Sequence, residues 1–372
     1  MLDSRPTKIK IKLKNLINNV NVIKKLVGNE LPVLAVVKAN AYGHGSVEIA
    51  KELKKKDIDF FGVACAYEAD KLFKSGISCK ILSLGKIYRE DIELADKYPY
   101  RLTVSSIEDL YALSDLQGKF KVHLKFDTGM GRCGFFFDKV KFVIDFLKEK
   151  DNITVEGIFT HFPVADKDTE FTQQQIIIFN KIREMFKTSG YNNILYHTAN
   201  SDGIINFKSS YFNLVRPGLL LYGSYWNKSI KKSRGFKPVM EFISKITDIK
   251  IFKCGDTIGY GRTYTVSKEN IKAAIVPVGY ADGYSRGFSN RGYVLINGKL
   301  CKILGRISMD WMVVDVTDLE DVTIGTTVIL FGDDDFKADV DDLAKAIDTI
   351  SYEILCSAGK NYRKEVIYDK CD

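Results

Sequence analysis

Lys38 stands at the end of a short apolar run, Val33–Val37, which follows Pro32 and is typical of a buried parallel strand. A polar turn that contains glycines comes next, and a helical pattern begins near Ser46. In α/β folds the carboxyl ends of the strands are where chemistry takes place. Partial desolvation at such a position lowers the pKa of an ammonium group, so that the amine becomes a nucleophile able to form a Schiff base. A lysine that merely extends its amine into water accounts for this run equally well.

Other polar side chains follow later apolar runs in the same way. The glycine-rich segment Lys125–Phe135 contains Arg132, whose planar guanidinium suits a phenolate or a carboxylate. His161 follows the next run, where a lone histidine is more often structural than catalytic. His197 ends the run after that. Each of these positions is by itself a weak indication of a site.

The last two apolar runs of this series are followed by groups that suit a phosphate. Asn200 and Ser201 offer amide, hydroxyl and backbone donors just before a helical pattern, an arrangement that binds phosphate well. Arg216 ends the last run, and Gly218 and Leu219 come shortly after it. Phosphate sites in barrels often use the loops after the last two strands. We therefore expect Ser201, Gly218 and Leu219 to be well placed for one.

The elements that must position these residues form a repeated pattern of strands and helices. Such alternation predicts parallel pairing, and eight strands favour a closed barrel over an open sheet. We predict an N-terminal (β/α)8 barrel domain over residues 1–235, whose first strand, Ile9–Leu13, can join the second domain. The eight predicted barrel strands are Val33–Val37, Phe60–Ala64, Lys80–Leu84, Arg101–Val104, Lys121–Phe126, Thr154–Thr160, Asn193–His197 and Phe212–Arg216.

A second, mainly β domain is predicted over residues 236–372. After a polar and basic stretch at 228–235 the helical patterns largely stop, and Asn297-Gly298 between apolar runs indicates a hairpin. One late helix is predicted over Val340–Ile350. The predicted strands are Ile271–Tyr280, Tyr293–Ile296, Cys301–Leu304, Met312–Val316 and Thr327–Phe331.

Composition excludes several classes of function. The net charge of +8 is spread along 372 residues without aromatic–basic interleaving, so we interpret it as surface character and not as nucleic-acid binding. No segment is long and apolar enough to span a membrane. The cysteines form no Cys-x-x-Cys pair, which argues against a disulfide framework and against a metal site. This pattern predicts a reducing compartment and therefore a cytoplasmic protein. They are Cys65, Cys79, Cys133, Cys254, Cys301, Cys356 and Cys371.

Taken together, these motifs resemble the alanine racemase family. The stretch Val-Lys-Ala-Asn-Ala-Tyr-Gly-His-Gly at 37–45 resembles the family's pyridoxal-phosphate lysine motif. Three other first-domain motifs, at 125–135, 197–201 and 216–219, resemble its barrel. The second domain contributes four further similar segments, Ile258–Tyr264, Pro277–Gly283, Gly305–Asp310 and Ser351–Ile354.

The resemblance implies an enzyme that uses pyridoxal 5'-phosphate. Lys38 would bind the cofactor covalently and act as one base. The residues that the resemblance places around the cofactor phosphate are Tyr42, Asn200, Ser201, Gly218, Leu219 and, from the second domain, Tyr352.

The resemblance also implies contacts to the cofactor ring. Arg216 would face the pyridine nitrogen with support from His197, and His161 would lie at the ring face. Arg132 would approach the phenolic oxygen and the substrate. Lys125 corresponds to a lysine that is often carbamylated in this family, a change that turns a cation into an anion facing Arg132.

In the second domain, the resemblance makes Tyr260 the second base. Racemisation needs one base on each face of a planar carbanion, and Lys38 and Tyr260 would fill those places. Tyr280 would narrow the active-site entrance, and the backbone of Met309 would contact the substrate carboxylate. This domain would complete the partner's site, so a head-to-tail homodimer that acts on alanine is implied.

Three alternatives remain open at this point. A serine-preferring racemase is the nearest, although Tyr352 fits the small-substrate form. A pyridoxal-phosphate carrier without turnover would lack the second domain and its tyrosine loop. A decarboxylase of similar plan is disfavoured by the segments at 279–283 and 306–310. One departure from the family pattern is Cys133, which stands where an aliphatic residue is usual.

Overall fold

The computed structural model describes residues 4–360 and 363–369. It divides into two compact units. The barrel unit comprises Val20–Ala41 and Ser46–Leu221, and the β unit comprises the described parts of Met1–Asn19, Tyr42–Gly45 and Tyr222–Asp372. The chain begins in the β unit with strand β1 (Lys8–Lys12), and the helix Leu13–Val27 follows it.

The barrel unit is a parallel sheet whose strands pair in chain order. They are β2 (Leu34–Val36), β3 (Phe60–Val63), β4 (Lys80–Ser83), β5 (Tyr100–Val104), β6 (Phe120–Lys125), β7 (Ile153–Phe159) and β8 (Leu195–His197). A parallel bridge between Val33 and Val215 joins the last segment to the first strand. The backbone N–H groups of Leu34 and Val36 donate to the carbonyls of Val215 and Pro217 at 2.9 and 3.0 Å. The barrel architecture predicted from the sequence is thus confirmed.

The eighth predicted strand, Phe212–Arg216, is wrong in its extent. Only Val215 forms a bridge, and the N–H of Arg216 donates to the carbonyl of Ala199 on the other side at 2.9 Å. The reason is local. Phe212 has a φ of 49°, outside the extended range, and Pro217 offers no N–H with which to continue a ladder.

Helices alternate with these strands. They are Ser46–Lys54, Ala66–Lys74, Arg89–Lys97, Ile107–Ser114, Val140–Lys148, Thr169–Thr188 and Ser201–Asn206. Their buried faces are apolar, as Val140, Val143, Ile144 and Leu147 illustrate on one of them. In the part of the chain that the structure describes, no helix has the length and apolarity needed to cross a membrane.

The β unit is built on a nine-stranded sheet. Besides β1 it contains β9 (Met240–Lys245), β10 (Asp248–Phe252), β13 (Ile271–Val276), β14 (Tyr293–Ile296), β15 (Lys299–Leu304), β16 (Met312–Asp315), β17 (Thr327–Phe331) and β18 (Glu365–Asp369), while β11 (Thr257–Ile258) and β12 (Tyr264–Thr265) form a separate small ribbon. The order across the large sheet is β10-β13-β16-β15-β14-β17-β9-β1-β18. The mainly β character predicted for this part is confirmed.

Two sequence predictions in the β unit need correction. The strand predicted over Ile271–Tyr280 ends at Val276, because Pro277 cannot donate to the ladder. The late helix predicted over Val340–Ile350 ends at Ala346, and a second helix, Ser351–Ala358, follows. Asp348 separates the two helices with a left-handed φ of 56°.

Cysteine placement agrees with the scattered pattern in the sequence. The six described cysteines are free thiols, and Cys371 lies outside the described residues. Burial raises the pKa of Cys79 and Cys301 to about 11. Cys133 and Cys254 are the exposed ones.

Candidate active site

The lysine motif forms a left-handed turn directly after β2. Ala39, Asn40, Ala41 and Tyr42 have φ values of 52°, 55°, 56° and 52°. Such backbone costs about 1–2 kcal/mol per non-glycine residue and concentrates at functional sites. The turn therefore holds Lys38 at the carboxyl end of the barrel in a conformation that the local sequence alone does not favour.

Side chains from the barrel stabilise this turn. The Glu68 carboxylate accepts hydrogen bonds from the N–H groups of Ala39 at 2.6 Å and Ala64 at 2.8 Å. The Asn40 side-chain oxygen accepts from the Ser46 N–H at 3.1 Å and from the Lys71 ammonium at 3.2 Å. Hydrogen bonds made by Ala39 and Asn40 therefore stabilise the strained turn.

Arg216 is a buried cation held entirely by neutral acceptors. Its guanidinium donates to Nδ1 of His197 at 2.9 Å and to the carbonyls of His197, Thr160 and Thr198 at 2.6, 2.7 and 3.1 Å. Among the described residues, no carboxylate forms an ion pair with it. Burial lowers its pKa to about 9, so the guanidinium still keeps its charge at neutral pH. A net positive charge is therefore fixed at the mouth of the barrel.

His161 is buried within range of four positive charges. Burial lowers its pKa well below the usual value, and the charges of Arg216, Arg132, Lys125 and Lys38 lower it further. His161 is consequently a neutral imidazole at physiological pH. The structure thus places these five residues, which the sequence predicted to share a site, within electrostatic range of one another.

The segment after β6 is a compact loop organised by one carboxylate. Asp127 accepts hydrogen bonds from the backbone N–H groups of Gly129, Met130, Gly131 and Arg132 at 2.9, 2.7, 3.1 and 2.8 Å. These bonds, which outweigh the opposing effect of burial, lower the pKa of Asp127. The loop that carries Arg132 therefore has a backbone held in one conformation by Asp127.

The predicted phosphate donors lie together in the barrel unit. The Ser201 hydroxyl oxygen accepts from the N–H groups of Gly218 at 3.2 Å and Leu220 at 3.3 Å. Asn200 caps the helix Ser201–Asn206, since its side-chain oxygen accepts from the Gly203 N–H at 3.0 Å. Leu219 is buried beside them. A hydroxyl and several backbone N–H groups therefore converge, as an anion requires.

Tyr42 and Tyr352 lie together in the β unit. The Tyr42 ring centroid is 5.5 Å from that of Tyr352 and 5.0 Å from that of Tyr222. Gly43 approaches the backbone of Leu355 so closely that a side chain there would collide with its carbonyl. The tyrosines that the resemblance assigned to the phosphate are thus held side by side.

Tyr260 lies in an exposed turn between β11 and β12. The turn needs glycines on both sides, because Gly259 and Gly261 have φ values of 74° and 70°. The Tyr260 side chain is 71% exposed. A Cβ built on Gly261 would lie 3.3 Å from the Arg306 guanidinium, so a cation borders this turn.

Tyr280 and Met309 are brought together by backbone contacts. The N–H of Tyr280 donates to the Ser308 carbonyl at 3.1 Å, and that of Ala281 donates to the Met309 carbonyl at 3.1 Å. Gly279 leaves room for this close approach of the two segments. Tyr280 and Met309 are both exposed on the β unit.

Comparisons with known proteins decide the family. A family model described as "Alanine racemase, N-terminal domain" matches residues 11–225, and one described as "Alanine racemase, C-terminal domain" matches residues 239–366. The chain belongs to the alanine racemase family. The resemblance found in the sequence is therefore confirmed.

Members of the alanine racemase family match almost the entire chain. "Alanine racemase 2" of Caldanaerobacter subterraneus subsp. tengcongensis is 36% identical over 371 residues, which cover 98% of this chain and 95% of the relative. The alanine racemase of Citrifermentans bemidjiense is 38% identical over 367 residues, covering 95% and 97%.

Solved alanine racemase structures also match nearly the whole chain. That from Clostridium difficile 630 is 35% identical with a TM-score of 0.88 and covers 99% of this chain and 97% of its own. That from Bacillus anthracis with bound L-Ala-P is 32% identical with a TM-score of 0.88, covering 100% and 96%.

Sequence reasoning missed one residue of this site. His123 is fully buried in β6, and its Nδ1 lies 2.8 Å from Nε2 of His197. The available signal was strand periodicity, because His123 is two residues before Lys125 and so lies on the same face of the strand.

Proposed function

We propose that this alanine racemase family member interconverts L-alanine and D-alanine with pyridoxal 5'-phosphate as its cofactor. The observation that carries the proposal is Arg216, a buried guanidinium paired only with neutral groups, in a barrel whose strand ends also hold Lys38 and His161. The full-length relatives named alanine racemase support the same activity.

The described residues fit the proposed cofactor. The amine of Lys38 at a strand end suits the cofactor's aldehyde. The Ser201 hydroxyl with its converging N–H groups suits the phosphate. The nearby cations suit the cofactor's negative charge. When bound, pyridoxal phosphate supplies a carbonyl that condenses with amines and a ring that withdraws electrons from the substrate Cα. The residues proposed to hold the phosphate are Tyr42, Asn200, Ser201, Gly218, Leu219 and Tyr352.

Arg216 has a defined electrostatic role in this proposal. A guanidinium donates hydrogen bonds but does not give up its proton under ordinary conditions. Facing the ring nitrogen, it would leave that nitrogen unprotonated and so limit how strongly the ring withdraws electrons. Moderate withdrawal suits reversible proton exchange at Cα with few side reactions.

Two bases carry the proton in the proposed reaction. Tyr260 removes the Cα proton of L-alanine, and Lys38 supplies a proton to the opposite face. For D-alanine the two exchange roles. We further propose that Arg132 and the Met309 backbone orient the substrate carboxylate, while Tyr280 narrows the entrance.

We propose that Tyr260 serves the site of a second copy of this chain in a head-to-tail homodimer. Support comes from the surface of the β unit, where the large side chains of Tyr260, Tyr280, Met309 and Trp311 are exposed. Exposed groups of this size mark interaction surfaces when they are clustered. In this assembly residues 236–372 complete the partner's site.

The biological setting is part of the same proposal. The product D-alanine would supply peptidoglycan, the role that the family resemblance implies in bacteria, and the location would be cytoplasmic. A serine-preferring racemase is the second candidate, and Tyr352 favours alanine over it. Lys125 is proposed as a site of carbamylation whose occupancy depends on Cys133.

The test is circular dichroism of L-alanine incubated with purified protein loaded with pyridoxal phosphate. Decay of the signal to zero with total alanine unchanged supports the proposal. A steady signal with L-alanine but decay with L-serine favours the serine-preferring alternative. A steady signal with both amino acids contradicts racemisation and leaves the carrier or decarboxylase to be tested by product analysis.

A further inference from the structure

We propose that His123 is a positioning residue that accepts the Nε2 proton of His197, holds that imidazole with Nδ1 toward Arg216 and thereby keeps Arg216 in place. The three side chains form a buried row in the barrel unit. Arg216 lies 2.9 Å from Nδ1 of His197, and Nε2 of His197 lies 2.8 Å from Nδ1 of His123. The proposal extends the Arg216 contact by one residue that the family motifs above do not include.

The direction of each hydrogen bond in this row follows from the chemistry of arginine. A guanidinium only donates, so Nδ1 of His197 must accept and its single proton must lie on Nε2. That proton then points at His123, whose Nδ1 must accept in turn. The remaining proton of His123 lies on Nε2, and this is a buried atom for which the described part of the chain offers no partner.

Both imidazoles are neutral, which this directionality requires. Burial lowers the pKa of His123 to about 3; Glu156 opposes this effect, while Arg101 and Arg216 reinforce it. Burial likewise lowers the pKa of His197 well below its usual value, with further contributions from Arg216 and His123. A neutral imidazole has one donor and one acceptor, so the row has a single consistent arrangement.

The barrel is distorted in a way that accommodates His123. The pairing of β6 with β7 shifts register between Val122 and His123, which leaves Glu156 as an extra residue in β7. Bulges of this kind re-aim side chains near active sites. Directly after the bulge, a Cβ on Gly157 of β7 would lie 2.5 Å from Cε1 and Nδ1 of His123, so only glycine leaves room for the ring.

The wild-type test is histidine-selective ¹⁵N NMR, for which a chain with only four histidines is well suited. We expect His197 and His123 to show a protonated Nε2 and an unprotonated Nδ1 in the cofactor-free protein. A proton on Nδ1 of His197, or a cationic His123 at neutral pH, would overturn the proposal. This readout does not depend on the proposed function.

Matched variants test the positioning role. His123→Leu removes the acceptor, whereas His123→Asn places a side-chain oxygen where Nδ1 was. We expect the Leu variant to lose the hydrogen-bonded ring proton of His197 and about tenfold in kcat, the scale of one buried donor left unpaired. The Asn variant should restore both. Gly157→Ala, which displaces the ring, should behave like His123→Leu.

Thermal unfolding identifies variants that fold, and only these are compared. A folded His123→Leu protein with the wild-type His197 spectrum and wild-type kcat contradicts the proposal, as does an Asn variant as impaired as Leu. The activity arm rests on the proposed function. Absence of racemisation in wild type together with the expected tautomers would therefore overturn the function and leave the His123–His197 arrangement intact.

Discussion

The ammonium of Lys125 donates a hydrogen bond to the sulfur of Cys133 at 2.9 Å. Lys125 is buried at the end of β6, and burial lowers its pKa, whereas the contact with Cys133 raises it and the charges of Arg132 and Arg216 lower it again. Carbamylation requires the neutral amine, because the nitrogen lone pair attacks carbon dioxide with loss of a proton. Cys133 thus opposes a modification that the rest of the environment favours.

Replacing Cys133 with Leu should therefore increase carbamylation of Lys125. The substitution removes the acceptor that stabilises the ammonium and leaves the other neighbours in place. The measurement is ¹³C NMR of protein equilibrated with ¹³C-bicarbonate, with integration of the carbamate signal. Cys254→Leu, at an exposed position of the β unit, is the control. Equal carbamate in Cys133→Leu and wild type would show that the sulfur has no such effect.

Lys231 should be important for the stability of the β unit. Its ammonium is fully buried and contacts the carboxylates of Asp339 and Asp341, each at 2.6 Å. Lys231→Met would leave two carboxylates buried without their cation, and losing one partner of a buried ion pair costs about 3–5 kcal/mol. Urea unfolding of the variant measures the loss. Lys232→Met, at an exposed neighbouring position, should change the free energy of unfolding by less than about 0.5 kcal/mol; similar losses in both variants would refute the assignment.

Asp127 should make stability depend on pH in a specific direction. Its pKa is lower in the folded state than in the unfolded chain, so its contribution is present above the unfolded value, about 3.9, and is lost as pH falls through the folded value. The stability deficit of Asp127→Asn relative to wild type should therefore be constant at neutral pH and shrink in acid below about pH 4. Urea unfolding across this range tests it, and a deficit that grows in acid would contradict the account.

Much of the candidate site could be predicted because the ends of strands can be recognised in the sequence. Lys38, His161 and Arg216 each follow an apolar run, and parallel strands bring their carboxyl ends to one edge. Their convergence in the structure around a common cluster of charge agrees with that reasoning. What the sequence could not reveal is the left-handed turn at Ala39, since it depends on a hydrogen bond that the Ala39 N–H donates to the carboxylate of a distant residue, Glu68.

Other features were missed for equally physical reasons. The eighth strand looked regular in sequence, but the positive φ of Phe212 is a tertiary outcome that no periodicity reports. The break between the two late helices at Asp348 could not be predicted for the same reason. A residue with a left-handed φ does not change the spacing of the apolar residues around it. His123 was not predicted as a site residue because it lies within a strand and not at its end. Its proposed positioning role depends on the space left by Gly157 in the neighbouring strand.

The most direct test of the two-base proposal is proton exchange by Tyr260→Phe in deuterated water, with the protein loaded with pyridoxal phosphate. The variant should lose about 10²–10⁴-fold in exchange of the L-alanine Cα proton. It should still exchange the Cα proton of D-alanine through Lys38, yielding deuterated D-alanine with little L-alanine. Lys38→Arg is the matched control and should lose exchange from D-alanine. Racemisation of both enantiomers by Tyr260→Phe at the wild-type rate would contradict the central claim.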